Sequence, residues 1–171
     1  MFMKESILNG KRILAVDDEE DVLTVLEEEI MEACPECKFD KATTYEEAIK
    51  RMASHIYDLV ILDIMGVRGF ELLDMAVKNN LPVAMLTAHA LTPDALKRSI
   101  QLMARAYLPK EKMGEIVPFL EYILKYEYLS GWKLLLKKFK GFFNERWGKE
   151  WAKSEEKFWK EFNKKLLASN G

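Results

Sequence analysis

Long apolar runs are missing from this chain. None approaches the roughly 20 residues that a bilayer-spanning helix needs, and the opening Met-Phe-Met-Lys-Glu-Ser has no apolar stretch of the kind that drives secretion. Both absences predict a cytoplasmic protein. Cysteine occurs only at Cys34 and Cys37, in Cys-Pro-Glu-Cys, so there is no disulfide framework. A CxxC pair can be redox-active or supply half a zinc site. Here no second Cys pair or His pair completes a metal site, and the spacing is read as a turn between a helix and a strand. Charge of one sign is also missing in bulk. The net charge is −2, which by itself implies no polyanionic partner. Tryptophan is absent from the first 131 residues.

The chain does have enough apolar residues for a core. At 49% hydrophobic and 32% charged, its 171 residues suit one domain, or a domain with an appendage. Its charge is unevenly spread. Residues 1–125 hold 15 Lys and Arg against 22 Asp and Glu, whereas residues 126–171 hold 11 against 6. That second stretch also contains Trp132, Trp147, Trp151 and Trp159. A domain over 11–125 and an aromatic, Lys-rich extension over 126–171 are therefore expected.

Short branched apolar runs alternate with helical periodicity through the first part. Arg12 to Val16 reads as a strand running into Asp17-Asp18-Glu19. Val22, Leu23, Val25, Leu26, Ile30 and Ala33 then recur at helical spacing, with acids crowding the start of that helix. Residues 38–43 form a weakly marked strand. Thr44-Tyr45-Glu46-Glu47 matches a capping box that opens a helix to about Ser54. Asp58-Leu-Val-Ile-Leu-Asp63 is a short apolar run bounded by charge, as in a strand buried on both faces. A helix over about 70–78, a strand over 82–86 ending at Thr87, and a helix from Pro93 capped by Thr92 come next. A strand over 105–108 leading into Pro109-Lys110 and a fifth helix past Ile123 complete the series. Strict alternation with short links predicts an α/β fold. It would be a doubly wound, flavodoxin-like (βα)5 parallel sheet in the order 2-1-3-4-5.

In such a sheet all strand C-termini share one edge, the edge that binds ligands. Asp17 and Asp18 follow the first strand, Asp63 ends the third, Thr87 ends the fourth and Lys110 follows the fifth. Three neighbouring carboxylates raise one another's pKa unless a hard cation relieves them, and carboxylate oxygens suit Mg²⁺. A carboxylate can also act as a nucleophile toward phosphorus.

This ordered set, Asp17-Asp18, Asp63, Thr87-Ala88, Tyr107 and Lys110, resembles the receiver domain of two-component response regulators over about residues 11–125. The resemblance implies a cytoplasmic, bacterial phosphoprotein whose Asp63 accepts a phosphoryl group from a sensor histidine kinase or phosphotransfer protein. It implies Mg²⁺ held by Asp18, Asp63 and the backbone carbonyl of Met65, with Asp17 helping through water. Lys110 would pair with the acyl phosphate and Thr87 would move to hydrogen-bond it. Tyr107 would pack inward when Thr87 moves.

The loop Asp63-Ile-Met-Gly-Val-Arg-Gly69 departs from the family pattern. It lacks a Pro after the aspartate and reaches its Gly at six positions rather than eight. Glu111 also stands where a Pro, often cis, follows the family lysine. His89 lies where the family tunes dephosphorylation, or is a loop histidine in solvent. These departures feed an alternative reading, an interaction module that no longer switches by phosphorylation. A small phosphatase is a third reading, set back by the lack of any cleft-forming insertion.

Residues 126–171 show no pattern of a DNA-reading domain. Trp132, Leu135, Leu136, Phe139, Phe143, Trp147, Trp151, Phe158, Phe162 and Leu166 fall at helical spacing, and Gly141 and Gly148 are expected to break the run into two or three amphipathic helices. Three readings stand: packing on the domain or on a second copy, docking to a protein partner, or binding to anionic lipid or nucleic acid. Glu residues among the lysines weigh against the last. The whole is read as a stand-alone response regulator signalling to a protein partner without enzymatic output.

Overall fold

The structure is a computed structural model and describes residues 5–169. Five strands are β1 (Arg12–Val16), β2 (Lys38–Ala42), β3 (Leu59–Asp63), β4 (Val83–Thr87) and β5 (Ala106–Pro109). They form one parallel sheet in the order β2-β1-β3-β4-β5. Between them run α1 (Glu20–Ala33), α2 (Tyr45–Ser54), α3 (Gly69–Lys78) and α4 (Pro93–Gln101). A 3₁₀ segment (Lys110–Glu115) leads from β5 into α5 (Ile116–Lys125). This is the doubly wound architecture expected from the alternation, and its helical boundaries follow local chemistry. Thr44 Oγ1 accepts from the backbone N–H of Glu47 at 3.1 Å, while the Glu47 carboxylate reaches back to the N–H of Thr43 at 3.3 Å, one residue beyond a standard capping box. Thr92 Oγ1 caps α4 by accepting from Ala95 N–H at 3.1 Å.

Every residue of β3 and β4 is buried, which is why both strands read as unbroken apolar runs. At one margin of the sheet, β2 (Lys-Phe-Asp-Lys-Ala) buries only Ala42, which explains its weak signal. At the other margin stands β5, and all four of its residues are buried. Besides β4, α4, the 3₁₀ segment and α5, the extension packs against it.

It forms α6 (Tyr128–Trp147), a second 3₁₀ segment (Trp151–Glu155) and α7 (Glu156–Ala168). Trp132, Leu135, Phe139 and Phe143 are the buried stripe of α6, which packs against β5 and α5. Phe139 stacks on Phe119 of α5 with ring centroids 4.9 Å apart. The indole N–H of Trp132 donates to the carbonyl of Ala104 at 2.9 Å, and the Tyr128 hydroxyl donates to that of Ile100 at 2.7 Å. The chain reverses at Gly148 (φ +85°), and α7 returns with Trp159, Phe162 and Leu166 buried. The aromatic stripe therefore packs on the β/α core and within its own hairpin, while Lys137, Lys138 and Lys140 face solvent.

The expected break at Gly141 does not occur, for α6 runs straight through it. A helical Gly costs only about 1 kcal/mol relative to Ala, and the flanking Phe139 and Phe143, both buried, outweigh that. Gly148 does end a helix, because the reversal needs the positive φ that glycine tolerates.

Candidate functional site

Strand register brings the chemistry together. Val16 pairs with Leu62, so Asp17 stands level with Asp63. Asp63 pairs with Leu86 and Thr87 with Pro109, so Thr87 and then Lys110 each project one residue further along the same edge. Asp17 (1% exposed), Asp63 (3%) and Thr87 (0%) are buried there, and Asp18 is exposed at the rim. Carboxylate oxygens of Asp17, Asp18 and Asp63 lie within 4.8 Å of one another. Among the described residues this is the one group of three or more acidic, His or Cys side chains close enough to hold a metal ion.

Lys110 reaches into this cluster. Its Nζ is 2.8 Å from Asp17 Oδ2, 3.2 Å from Glu19 Oε1 and 3.5 Å from Asp63 Oδ1. Asp17 is oriented by the backbone N–H of Glu19, which donates to its Oδ1 at 2.9 Å. Its Oδ2 is buried and faces the Lys110 ammonium. Burial pushes the Asp63 carboxyl up to about 7; Asp17 and Asp18 add to the rise, and the Lys110 ammonium opposes it. Asp17 is also raised, chiefly by burial and against the pull of Lys110. For Lys110, burial works against the charge, but the bond to Asp17 and the field of Asp63 outweigh it and hold its pKa above the usual lysine range. Hard oxygen donors and mutual repulsion make up a donor set that fits Mg²⁺.

Two glycines that spacing alone does not single out shape the site. Gly66 has φ +85°, and a methyl group there would lie 2.5 Å from the Asp18 carboxylate. Gly69 opens α3, donates its N–H to Ile64 O at 3.0 Å, and would drive any Cβ into the carbonyl oxygen of Asp63. Different losses are therefore expected. Gly69→Ala forces backbone to move and should cost at least about 2 kcal/mol in a thermal melt. Gly66→Ala should chiefly weaken Mg²⁺ binding, read by calorimetric titration, because Asp18 must swing away. Equal effects of the two on Mg²⁺ binding and on the melt would contradict this division.

Thr87 and Tyr107, the residues expected to switch, both bond the loop that follows β4. Thr87 Oγ1 accepts from Ala90 N–H at 3.0 Å, so its hydroxyl oxygen is engaged by the loop that follows β4. Tyr107 is fully buried; its hydroxyl donates to Ala90 O at 2.7 Å and accepts from Thr92 N–H at 3.1 Å. Its ring meets Phe143 of α6, with centroids 6.3 Å apart. Inward packing of Tyr107 thus coexists here with a Thr87 held by the loop. The sequence pattern assigns no role in the site to Glu19 or Phe143. For Glu19 the one signal is its place beside Asp17-Asp18, and Phe143 lies 36 positions from Tyr107 in the sequence. Glu111 pairs with Arg146 of α6, which gives the residue after Lys110 a partner that the sequence does not reveal. No described peptide bond is cis. His89 is exposed, with Nε2 3.9 Å from Glu19 Oε1.

Cys34 and Cys37 form no part of this site. Both are buried in the turn after α1, with Sγ atoms 2.8 Å apart and the Cys37 thiol donating to Leu8 O at 2.9 Å. Burial, with Cys34 alongside, pushes the Cys37 thiol up to about 12, so it stays protonated at neutral pH.

The sheet order and the acidic edge define a receiver-type fold, and comparison with known proteins agrees. The family model of the response regulator receiver domain matches residues 13–120, and the chain belongs to that family. A two-component response regulator of Arabidopsis thaliana is 34% identical over 133 residues, covering 74% of this chain but only 20% of the relative. A rice (Oryza sativa) two-component response regulator is 36% identical over 95 residues, covering 52% of this chain and 13% of the relative. The chain thus spans a fifth or less of these relatives' lengths. The receiver domain of a CheY-like protein from Methanospirillum hungatei superposes with a TM-score of 0.60 at 23% identity, over 67% of this chain and 94% of that one. The Thermotoga maritima response regulator TrrA, solved with Mg²⁺ and BeF, has a TM-score of 0.57 at 34% identity, over 67% and 99%. As a receiver, this domain is a signalling module. No helix among the described residues is long and apolar enough to cross a membrane.

Proposed function

We propose that Asp63 accepts a phosphoryl group from a sensor histidine kinase or a phosphotransfer protein, and that the modified protein signals to a protein partner. One observation carries this reading. A buried carboxylate ends the central strand with an ammonium 3.5 Å away and two further carboxylates within 4.8 Å. Ionised Asp63 attacks phosphorus with one carboxylate oxygen. The bond from phosphorus to the donor's imidazole nitrogen breaks, its electron pair leaves with that nitrogen, and an acyl phosphate remains. Lys110 then turns from Asp17 toward the new phosphoryl oxygens, and the Thr87 hydroxyl supplies a further hydrogen bond. Asp18, Asp63 and the backbone carbonyl of Met65 would hold Mg²⁺ directly, with Asp17 acting through water. When bound, Mg²⁺ neutralises charge on the transferring phosphoryl group.

Incubation of the protein with acetyl phosphate and Mg²⁺, followed by intact mass, tests the reading. Gain of one phosphoryl group is expected in the natural chain and none in Asp63→Ala. Absence of an adduct at every Mg²⁺ concentration overturns the proposal.

A further inference from the structure

A second cluster of reactive side chains lies at the opposite edge of the sheet from Asp63. Cys34 caps the C-terminus of α1, Cys37 directly precedes β2, and both thiols are buried. Pro35 and Glu36, which separate them, are exposed, so the thiols lie just beneath the surface. The N–H of Cys37 donates to the Cys34 carbonyl at 3.1 Å, which closes a β-turn over residues 34–37. Such a turn holds its outer Cα atoms within about 7 Å, and disulfides bridge Cα atoms roughly 4.4–6.8 Å apart. Proline at the second position of the turn fixes its φ in advance. The two Sγ atoms are 2.8 Å apart, so reaching a bond of about 2.05 Å needs a shift of under about 1 Å.

Two other roles for the pair fail on the same residues. Among the described residues no third Cys, His, Asp or Glu joins it closely enough to hold a metal ion. Nor is it built as an exchange catalyst: burial and the neighbouring Cys34 push the Cys37 thiol up to about 12, whereas such catalysts lower theirs. Leu8 and Asn9 close the site from the turn before β1. Cys37 donates to Leu8 O at 2.9 Å, and Cys34 donates to Asn9 Oδ1 at 3.5 Å. Both bonds need the reduced form, since a disulfide has no S–H to give.

We infer that Cys34 and Cys37 are a reversible thiol–disulfide site, oxidised by a small disulfide such as glutathione disulfide, whose redox state sets how firmly the segment before β1 is held. One cysteine, as thiolate, attacks a sulfur of the oxidant. The oxidant's S–S bond breaks, and half of it leaves as a thiolate. The other cysteine gives up its proton and attacks the protein sulfur of the mixed disulfide, which expels the second half. Two electrons pass to the oxidant, and the two protons lost by the cysteines are taken up by the departing thiolates. Oxidation removes the donors to Leu8 and Asn9 and leaves the turn itself in place.

The reduced full chain is equilibrated with mixtures of reduced and oxidised glutathione, and its thiols are counted by alkylation and intact mass. The natural chain should pass from two free thiols to an internal disulfide that retains no glutathione and that dithiothreitol reverses. Cys34→Ser and Cys37→Ser should each stop at a mixed disulfide. The effective concentration of one thiol toward the other should be roughly 10-fold or more above that of the same chain unfolded in urea, because the folded turn already brings them together. Amide exchange over residues 6–11 should be roughly 2-fold or more faster in the oxidised chain. A folded chain that keeps both thiols free, that stalls as a glutathione adduct, or that shows no gain over urea overturns the proposal. A disulfide that leaves exchange over 6–11 unchanged overturns the hold on that segment and leaves the thiol site standing. None of these readouts depends on Asp63.

Discussion

Asp63→Asn should make the metal-free protein more stable at pH 8, and it should flatten the dependence of stability on pH between about 4 and 8. The Asp63 carboxyl is pushed from 3.8 up to about 7 by burial and by the Asp17 charge. A carboxyl raised in the folded state binds its proton more tightly there than in the unfolded chain. Between the two values the native protein therefore holds more protons, and stability falls as pH rises from about 4 to 7, then levels off. A displacement from 3.8 to about 7 corresponds to at most about 4 kcal/mol. Asp17 is raised as well and acts in the same direction. Lys110, raised above its ordinary value, loses its contribution only in strong alkali, outside this window. Urea unfolding in the presence of a chelator, across pH 5 to 8, measures the effect. A natural chain whose stability is flat across that range, with no gain in Asp63→Asn, would show that the carboxylate cluster is not under the stated strain. Mg²⁺ works against that order. At a hundredfold excess over its dissociation constant it adds about 2.7 kcal/mol to the natural protein, and much less to the variant that lacks a carboxylate ligand.

The carboxylates that carry this strain are legible in the sequence because of where the strands stop. β1, β3 and β4 each end in an abrupt change from apolar residues to a functional side chain, and parallel topology sends those ends to one edge. Asp17, Asp18, Asp63, Thr87 and Lys110 need only the order of the strands to be brought together. Thr44 and Thr92 are legible because capping is a local interaction within four residues. β2 is faint because an exposed margin strand has one fewer face to bury. What the sequence hides depends on contacts between distant parts of the chain. Glu111 alone reads as a loss, a residue without the expected proline, yet Arg146 of α6 stands beside it. Tyr107 reads as a residue that packs inward when Thr87 moves, whereas it is already buried, with its ring against Phe143. Gly141 reads as a break because helix propensity is local, and the aromatic packing that overrides it is not.

Trp132→Ala should destabilise the whole protein, not only its extension, by about 3–5 kcal/mol. Trp132 is completely buried, and its indole N–H satisfies the carbonyl of Ala104, a residue that is itself fully buried just before β5. Truncation leaves both a large cavity and an unpaired carbonyl in the interior. β5 is a margin strand of the sheet, yet every one of its residues is buried, and α6 is one of the helices packed against it. Loosening α6 would uncover an apolar strand edge, the kind of surface that proteins otherwise protect to avoid edge-to-edge pairing. For a chain of this size the loss corresponds to a fall in melting temperature of roughly 6–20 °C. Far-UV circular dichroism and tryptophan emission should report the same shifted transition, and the variant should aggregate more readily on heating. Trp132→Phe keeps most of the volume, loses the N–H, and should fall about 1–2 kcal/mol below the natural chain. Trp159, in contrast, is buried within the hairpin, against Trp151 and Phe162, so Trp159→Ala should cost less than Trp132→Ala. If emission shifts in Trp132→Ala while the dichroism transition of the sheet stays at its natural temperature, residues 11–125 fold independently of 126–171, and the extension is an appendage on a complete receiver. Coincident transitions mean that this receiver has incorporated its own C-terminal helices into the core, so that the sheet and residues 126–171 unfold as one unit.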